Sequence, residues 1–274
     1  MVQIQAPQPT ILINFLKDFL RCFFNFRYWS YFTLINIKIK YRDSIIGPFW
    51  NVISSTILIL ALSFGYSSFL NRADLQNFIY YIALGIFTWI FISSCLNEGS
   101  SVLESKKNII LEKNINIKFF IFELIFCNFI IYLHSFIVIF ILLIISDTQL
   151  TIYFLLSLLG LLIILLNLIF FINIIMILSP IFRDIKKIVE NLMIIFFFST
   201  PIIWSEEIMR PKLKFLLNFN PFYHLISIFR DPLLNKINEQ YFFHLVISLL
   251  ITCCTIILSY YINKKYEKIV RLYL

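Results

Sequence analysis

Three histidines, His134, His224 and His244, are the side chains of this sequence best suited to proton transfer or metal binding near neutral pH, and each stands alone. A lone histidine in an apolar run is ordinarily packed or hydrogen-bonded rather than a base or a ligand. The five cysteines, Cys22, Cys95, Cys127, Cys253 and Cys254, form no Cys-x-x-Cys pair. All but Cys22 lie in or at the ends of apolar runs, so they read as small buried hydrophobes. No glycine-rich phosphate loop with its lysine is present, so the chain does not energise itself with ATP by that route. No chain of carboxylates and arginines marks a proton relay, and five glycines are too few for the broken helices of many secondary transporters. One cluster with a chemical capacity remains. Lys38, Lys40 and Arg42 come just before Gly47–Pro48. Pro48 fits the first turn of a helix. Backbone N–H groups left free at such a start suit a phosphate, and Arg42 could grip one with two hydrogen bonds. The same cations would also serve as a plain anchor beside anionic lipids.

The elements that must position these residues are set by hydropathy. Phe49–Leu70 carries no charge, and a bilayer core about 30 Å thick needs roughly 20 apolar residues in a helix. Across the 274 residues 60% are hydrophobic and the mean hydropathy is +0.88. Only 14% are charged, against roughly 25% in a soluble domain. The net charge of +8 lies between apolar runs, so it reports membrane topology rather than nucleic acid. The pattern predicts an all-α integral membrane protein with two parts. Residues 1–48 form a cytoplasmic tail and an amphipathic interfacial helix, in which Ile13, Leu16, Leu20, Phe23 and Phe24 recur at helical spacing and Lys17, Asp18, Arg21 and Asn25 fall between them. Residues 49–274 form a bundle of six spans, placed at Phe49–Leu70, Phe78–Leu96, Phe119–Ile145, Leu150–Leu178, Ile188–Trp204 and Tyr241–Ile262.

Six spans put both termini on one side. Seventeen of the 23 lysines and arginines fall on that side, which makes the termini cytoplasmic. Two connections are long enough to act. Glu98–Lys118 is cytoplasmic and charged. Ser205–Gln240 is external, yet its apolar runs Leu213–Phe219 and Phe222–Phe229 are broken by Pro211, Asn220–Pro221 and Asp231–Pro232. Each run is too short to span, so the pair reads as two re-entrant half-helices, which are tolerated at membrane depth only when buried in protein or lining a wet cavity.

The stretch Ile39–Lys40–Tyr41–Arg42–Asp43–Ser44–Ile45–Ile46–Gly47–Pro48–Phe49–Trp50 resembles the approach to the first span in polysaccharide-exporting ABC-transporter permeases, with Ile46 in place of a leucine. Further motifs resemble the family in order. They are Tyr81, Gly85 and Trp89; Arg183–Asp184–Ile185; Thr200–Pro201–Ile202 with Trp204; Asn220–Pro221; and Phe229–Arg230–Asp231. The chain departs from the family where a proline often occurs, near Asn114–Lys118.

The resemblance implies a type V exporter fold and a homodimer working with two copies of a separate ABC ATPase. ATP and Mg would be bound by that partner, and no cofactor by this chain. It implies a bacterial inner membrane location and, as cargo, a lipid-linked glycan, foremost a diphosphate-polyprenyl-linked O-antigen, with capsule or teichoic acid as relatives. On this reading Lys38, Lys40, Arg42, Gly47 and Pro48 hold the lipid headgroup, with Arg21 and Arg27 secondary. Sugar C–H faces stack on aromatic rings without directional bonds that must break at each step. That makes Trp50, Tyr66, Phe196, Phe197, Phe198 and Trp204, with Tyr223 and His224 at the outer loop, the candidate glycan path. Interfacial anchoring and packing account for the same rings. The charged connection, centred on Ser105, Lys106, Lys107, Glu112 and Lys113, is the candidate contact with the ATPase. Export of a lipid or small lipophilic drug is the rival within the class, and a membrane-embedded glycan acyltransferase built around His134 is the rival outside it.

Overall fold

The computed structural model describes residues 9–66, 72–113, 115–146, 149, 151–206, 209–210 and 214–273. Among them there is no strand. The chain opens with α1 Pro9–Phe24 and α2 Phe26–Lys40. The sequence predicts one interfacial helix here; the structure breaks it at Asn25, and Trp29 Nε1 donates to the carbonyl of Phe23 across the break, 3.1 Å away. α1 buries Phe15, Phe19 and Cys22, and Trp29 of α2 stacks on Phe122 and meets Phe126 edge-on. Both helices lean on the bundle as well as presenting an apolar face outward.

The bundle proper consists of α3 Phe49–Tyr66, α4 Arg72–Gly99, α7 Phe119–Ile145, α8 Phe154–Leu178 and α11 Glu239–Tyr273. Between α4 and α7 lie two short helices, α5 Val102–Ser105 and α6 Lys107–Lys113. Five of the described helices contain stretches long and apolar enough to cross a membrane: Phe49–Tyr66, Leu75–Gly99, Phe119–Ile145, Phe154–Leu178 and Glu239–Glu267. The remaining expected span, Ile188–Trp204, is not among them. Its helix, α9 Ile185–Ser199, has 15 residues. At 1.5 Å per residue that is about 22 Å, short of the roughly 30 Å hydrocarbon core. The helix stops because Thr200 turns extended ahead of Pro201. Leu70 and Leu150, expected ends of two spans, lie outside the described residues.

Of the two expected half-helices, Leu213–Phe219 forms a 3-10 turn over Phe215–Phe219, with Leu213 outside the described residues, and Phe222–Phe229 lies within α10 Pro221–Leu233. α10 starts where the sequence says it should. The Asn220 side chain accepts from the N–H groups of Phe222 and Tyr223, and Pro221 occupies the first helical position. Nearly all of α10 is buried among α4, α8 and α11. Its approach to α8 is close enough to require Gly160, where a Cβ would stand 2.4 Å from the carbonyl oxygen of Ile228.

α8 and α11 are joined inside the apolar bundle by amide–hydroxyl bonds. Asn167 Nδ2 donates to Thr252 Oγ1, and Asn173 Nδ2 to Ser259 Oγ, both at 2.7 Å. By contrast α3 and α9 sit at the margin. α3 exposes Ile57, Leu58, Leu60 and Phe64, and α9 exposes Ile188, Leu192, Ile194, Ile195 and Phe198.

Candidate functional site

The polar side chains gather at two ends of the bundle. Tyr81 and Glu98 mark them on one helix, about 25 Å apart along α4 at 1.5 Å per residue.

At the Glu98 end two acidic residues tie the elements together, Glu98 joining α2, α4 and α7 and Glu123 joining α7 to α2 and to the α5–α6 connection. Lys40 Nζ lies 2.9 Å from Glu98 Oε1, and Asn128 Nδ2 donates to the other oxygen of Glu98 at 2.8 Å. Lys106 Nζ lies 3.1 Å from Glu123 Oε1, to which Asn36 Nδ2 also donates. These pairs flank a cavity of about 280 Å³ between α2, α5 and α7. Burial disfavours the Lys40 ammonium, but Glu98 beside it outweighs that and holds its pKa above the ordinary lysine value. Past the short helices, Lys118 is buried, 3.2 Å from Glu267 of α11 and 3.8 Å from Asp18 of α1, with the Phe15 and Phe19 rings beneath its ammonium. The connection is therefore pinned before α6 by Lys106 and after it by Lys118. α6 itself buries Ile110 and exposes Lys107, Leu111 and Glu112. Ser105 is spent on the carbonyl of Val102, and the Lys113 side chain and Asn114 lie outside the described residues.

The five expected phosphate ligands divide. Lys38 and Arg42 are exposed, and Arg42 has no ion pair among the described residues. Lys40 is taken by Glu98. Gly47 has φ +61°, and its N–H donates to Ser44 Oγ at 2.9 Å, so that amide is not free. Pro48 precedes the first residue of α3, and Asn51 ties this turn back to Tyr41 at 3.2 Å.

At the other end, one face of α4 receives the exit of α9. Tyr81, Gly85 and Trp89, spaced by four, stack on a single helix face. The Tyr81 hydroxyl donates to the carbonyls of Pro201, at 2.9 Å, and Trp204, at 3.2 Å. Gly85 meets Ile202, and the Trp89 ring meets Phe197. Arg230 of α10 completes the clamp. Its Nη1 donates to the carbonyl of Pro201 at 2.7 Å, its guanidinium lies 4.0 Å from the centre of the Tyr81 ring, and its Nε is 3.6 Å from Asp231 Oδ1. Asn220 adds a bond to Thr200 Oγ1 at 2.8 Å. Motifs far apart in sequence thus meet around the Thr200–Pro201–Ile202 break.

The expected path residues are scattered in exposure. Trp50 and Phe198 are exposed. Phe196 packs on Phe222 and Tyr66 on Phe78. Trp204 Nε1 donates to the carbonyl of Phe198 at 3.2 Å. Tyr223 is buried with its hydroxyl on Glu206. His224 is fully buried. Its Nε2 lies 3.0 Å from the carbonyl of Asn218 and its Nδ1 2.8 Å from His244 Nδ1. With Nε2 donating to that carbonyl, a neutral His224 accepts at Nδ1 and His244 donates. This pair escapes sequence reasoning because its members are twenty residues apart. His134 is occupied by the carbonyl of Ile130, one turn back on its own helix, at 2.7 Å. No group of three or more metal-ligating side chains occurs among the described residues.

The family model described as "ABC-2 type transporter" matches residues 29–234, a range that contains the α4–α9–α10 clamp and the α5–α6 connection. The chain belongs to the ABC-2 type transporter family. Among curated proteins, this ABC-2 chain is similar to the O-antigen export system permease protein RfbA of Myxococcus xanthus, 22% identical over 199 residues, covering 71% of this chain and 75% of that protein. It is also similar to RfbA proteins of the same description from Klebsiella pneumoniae, one of them 23% identical over 210 residues, covering 75% and 80%. The ABC-2 chain is thus a multi-pass membrane subunit of a transporter, not an enzyme, and its family implies an ABC ATPase as partner.

Proposed function

We propose that this permease exports a lipid-linked polysaccharide, foremost a diphosphate-polyprenyl-linked O-antigen, across a bacterial inner membrane. The observation that carries the reading is similarity to two O-antigen export permeases over about three-quarters of the chain. In this reading both termini are cytoplasmic, as the positive residues favour, and α9 with the re-entrant pair completes the sixth crossing. Two copies meet through the apolar margins of α3 and α9, which places Trp50 and Phe198 beside the path between them. A polymer longer than the membrane is thick needs a continuous path, and aromatic walls let sugar rings slide. Lys38 and Arg42, free at the cytoplasmic surface, meet the anionic headgroup. ATP is hydrolysed on the partner, and its strokes enter through the exposed face of α6. Lys106 passes that motion to Glu123 at the head of α7, and Glu123 to Asn36 of α2.

Deletion of the gene, followed by fractionation of lipid-linked glycan, tests the reading. It predicts polymer trapped inside the cell and missing from the surface. Unchanged surface glycan would contradict it and favour a lipid or drug as cargo.

A further inference from the structure

The clamp end of the bundle holds a second cavity that the motifs do not account for. A space of about 360 Å³ opens between the 3-10 turn and the start of α11, lined by Lys214, Phe215, Asn218, Glu206, Tyr223 and Gln240. That volume lies within the range of about 300–1,000 Å³ typical of small-molecule sites. A smaller recess of about 50 Å³ adjoins it, sharing Glu206, Tyr223 and Gln240 and reaching the buried Arg230–Asp231 pair. Glu206 stands at the junction. It accepts from the Tyr223 hydroxyl, and both of its oxygens lie 3.2 Å from Gln240 Nε2. These bonds fix the carboxylate in place and leave it lone pairs to spare. The Gln240 Oε1 and the whole Asn218 amide have no partner among the described residues, so both amides keep hydrogen-bonding capacity. Phe215 exposes 56% of its surface.

This combination selects a ligand class. Within the cavity Lys214 is balanced by Glu206, so the site does not call for a net-charged ligand. Planar groups that both donate and accept match neighbouring hydroxyls, and an exposed ring matches a flat patch of C–H bonds. A pyranose presents both on one ring. We propose that the cavity bounded by Phe215, Asn218, Glu206 and Gln240 binds one sugar ring. Resting on the glycan-export reading above, the site holds a unit of the emerging chain between strokes of the ATPase and so opposes back-sliding.

The test is saturation-transfer NMR on the full-length permease in nanodiscs, titrated with methyl α-D-glucopyranoside, methyl α-D-mannopyranoside and methyl β-D-galactopyranoside. The proposal predicts transfer to the ring C–H protons of at least one of them. Phe215→Ala and Gln240→Ala should each weaken that binding about tenfold, the loss of one contact of about 1.4 kcal/mol. Leu216→Ala, exposed on the same turn but outside the cavity, should bind like the parent. All three positions are exposed, so folding should survive substitution. No transfer with any pyranoside, or unaltered binding in both cavity variants, overturns the site. A deletion strain with normal surface glycan would instead remove the export reading, and the titration would still report on the site.

Discussion

At the scale of single residues, the tightest constraint is Gly160. A methyl group there meets the Ile228 carbonyl at 2.4 Å and the Phe229 nitrogen at 3.0 Å, backbone atoms that move only if α10 moves. Gly160→Ala should cost at least the 1–3 kcal/mol typical of overpacking, about that range or more. Gly65→Ala, with nothing within 4 Å of the added carbon, should be neutral, and melting of the two purified variants checks both. Of the residues that matter here, the sequence made Arg230–Asp231 and Asn220–Pro221 legible through their motifs. It hid what they touch, because the Pro201 carbonyl, the true partner of both Arg230 and Tyr81, carries no side-chain signature.

At the scale of elements, the charged connection divides into two jobs. α6 offers Lys107, Leu111 and Glu112 outward over a buried Ile110, whereas Lys106 faces inward to Glu123. Leu111→Glu should therefore reduce co-purification of the ATPase, while stability changes by no more than about 0.5 kcal/mol, as for other exposed positions. Lys106→Ala should retain the ATPase and its turnover but lower export, since it breaks the link to α7. The two outcomes are read by pull-down and by the ratio of export to ATP hydrolysis. Long spans were easy to read because lipid-facing helices exclude charge for some twenty residues, as Phe119–Ile145 and Phe154–Leu178 do. α9 is shorter than its hydropathy suggests because the apolar run continues through Thr200–Pro201–Ile202, whereas the backbone there turns extended. The break at Asn25 was missed for a related reason: apolar spacing continues across it, and a single Asn is a weak stop.

At the scale of the whole molecule, the exposed apolar margins of α3 and α9 can face lipid or protein, and in the proposed assembly a second copy covers them. Ile195→Lys, on the exposed face of α9, should shift the purified permease from dimer toward monomer by mass photometry, while Phe215→Ala, away from that face, should not. In the proposed reading energy enters near Glu98 and the glycan leaves near Tyr81, so the central claim is vectorial movement from one end to the other. Inside-out membrane vesicles containing the permease, its ATPase and radiolabelled lipid-linked glycan measure that directly. Export predicts that ATP renders the glycan progressively inaccessible to added glycosidase, and that Lys106→Ala lowers the protection. Glycan that stays equally digestible with and without ATP, in vesicles whose ATPase turns over, would contradict the account.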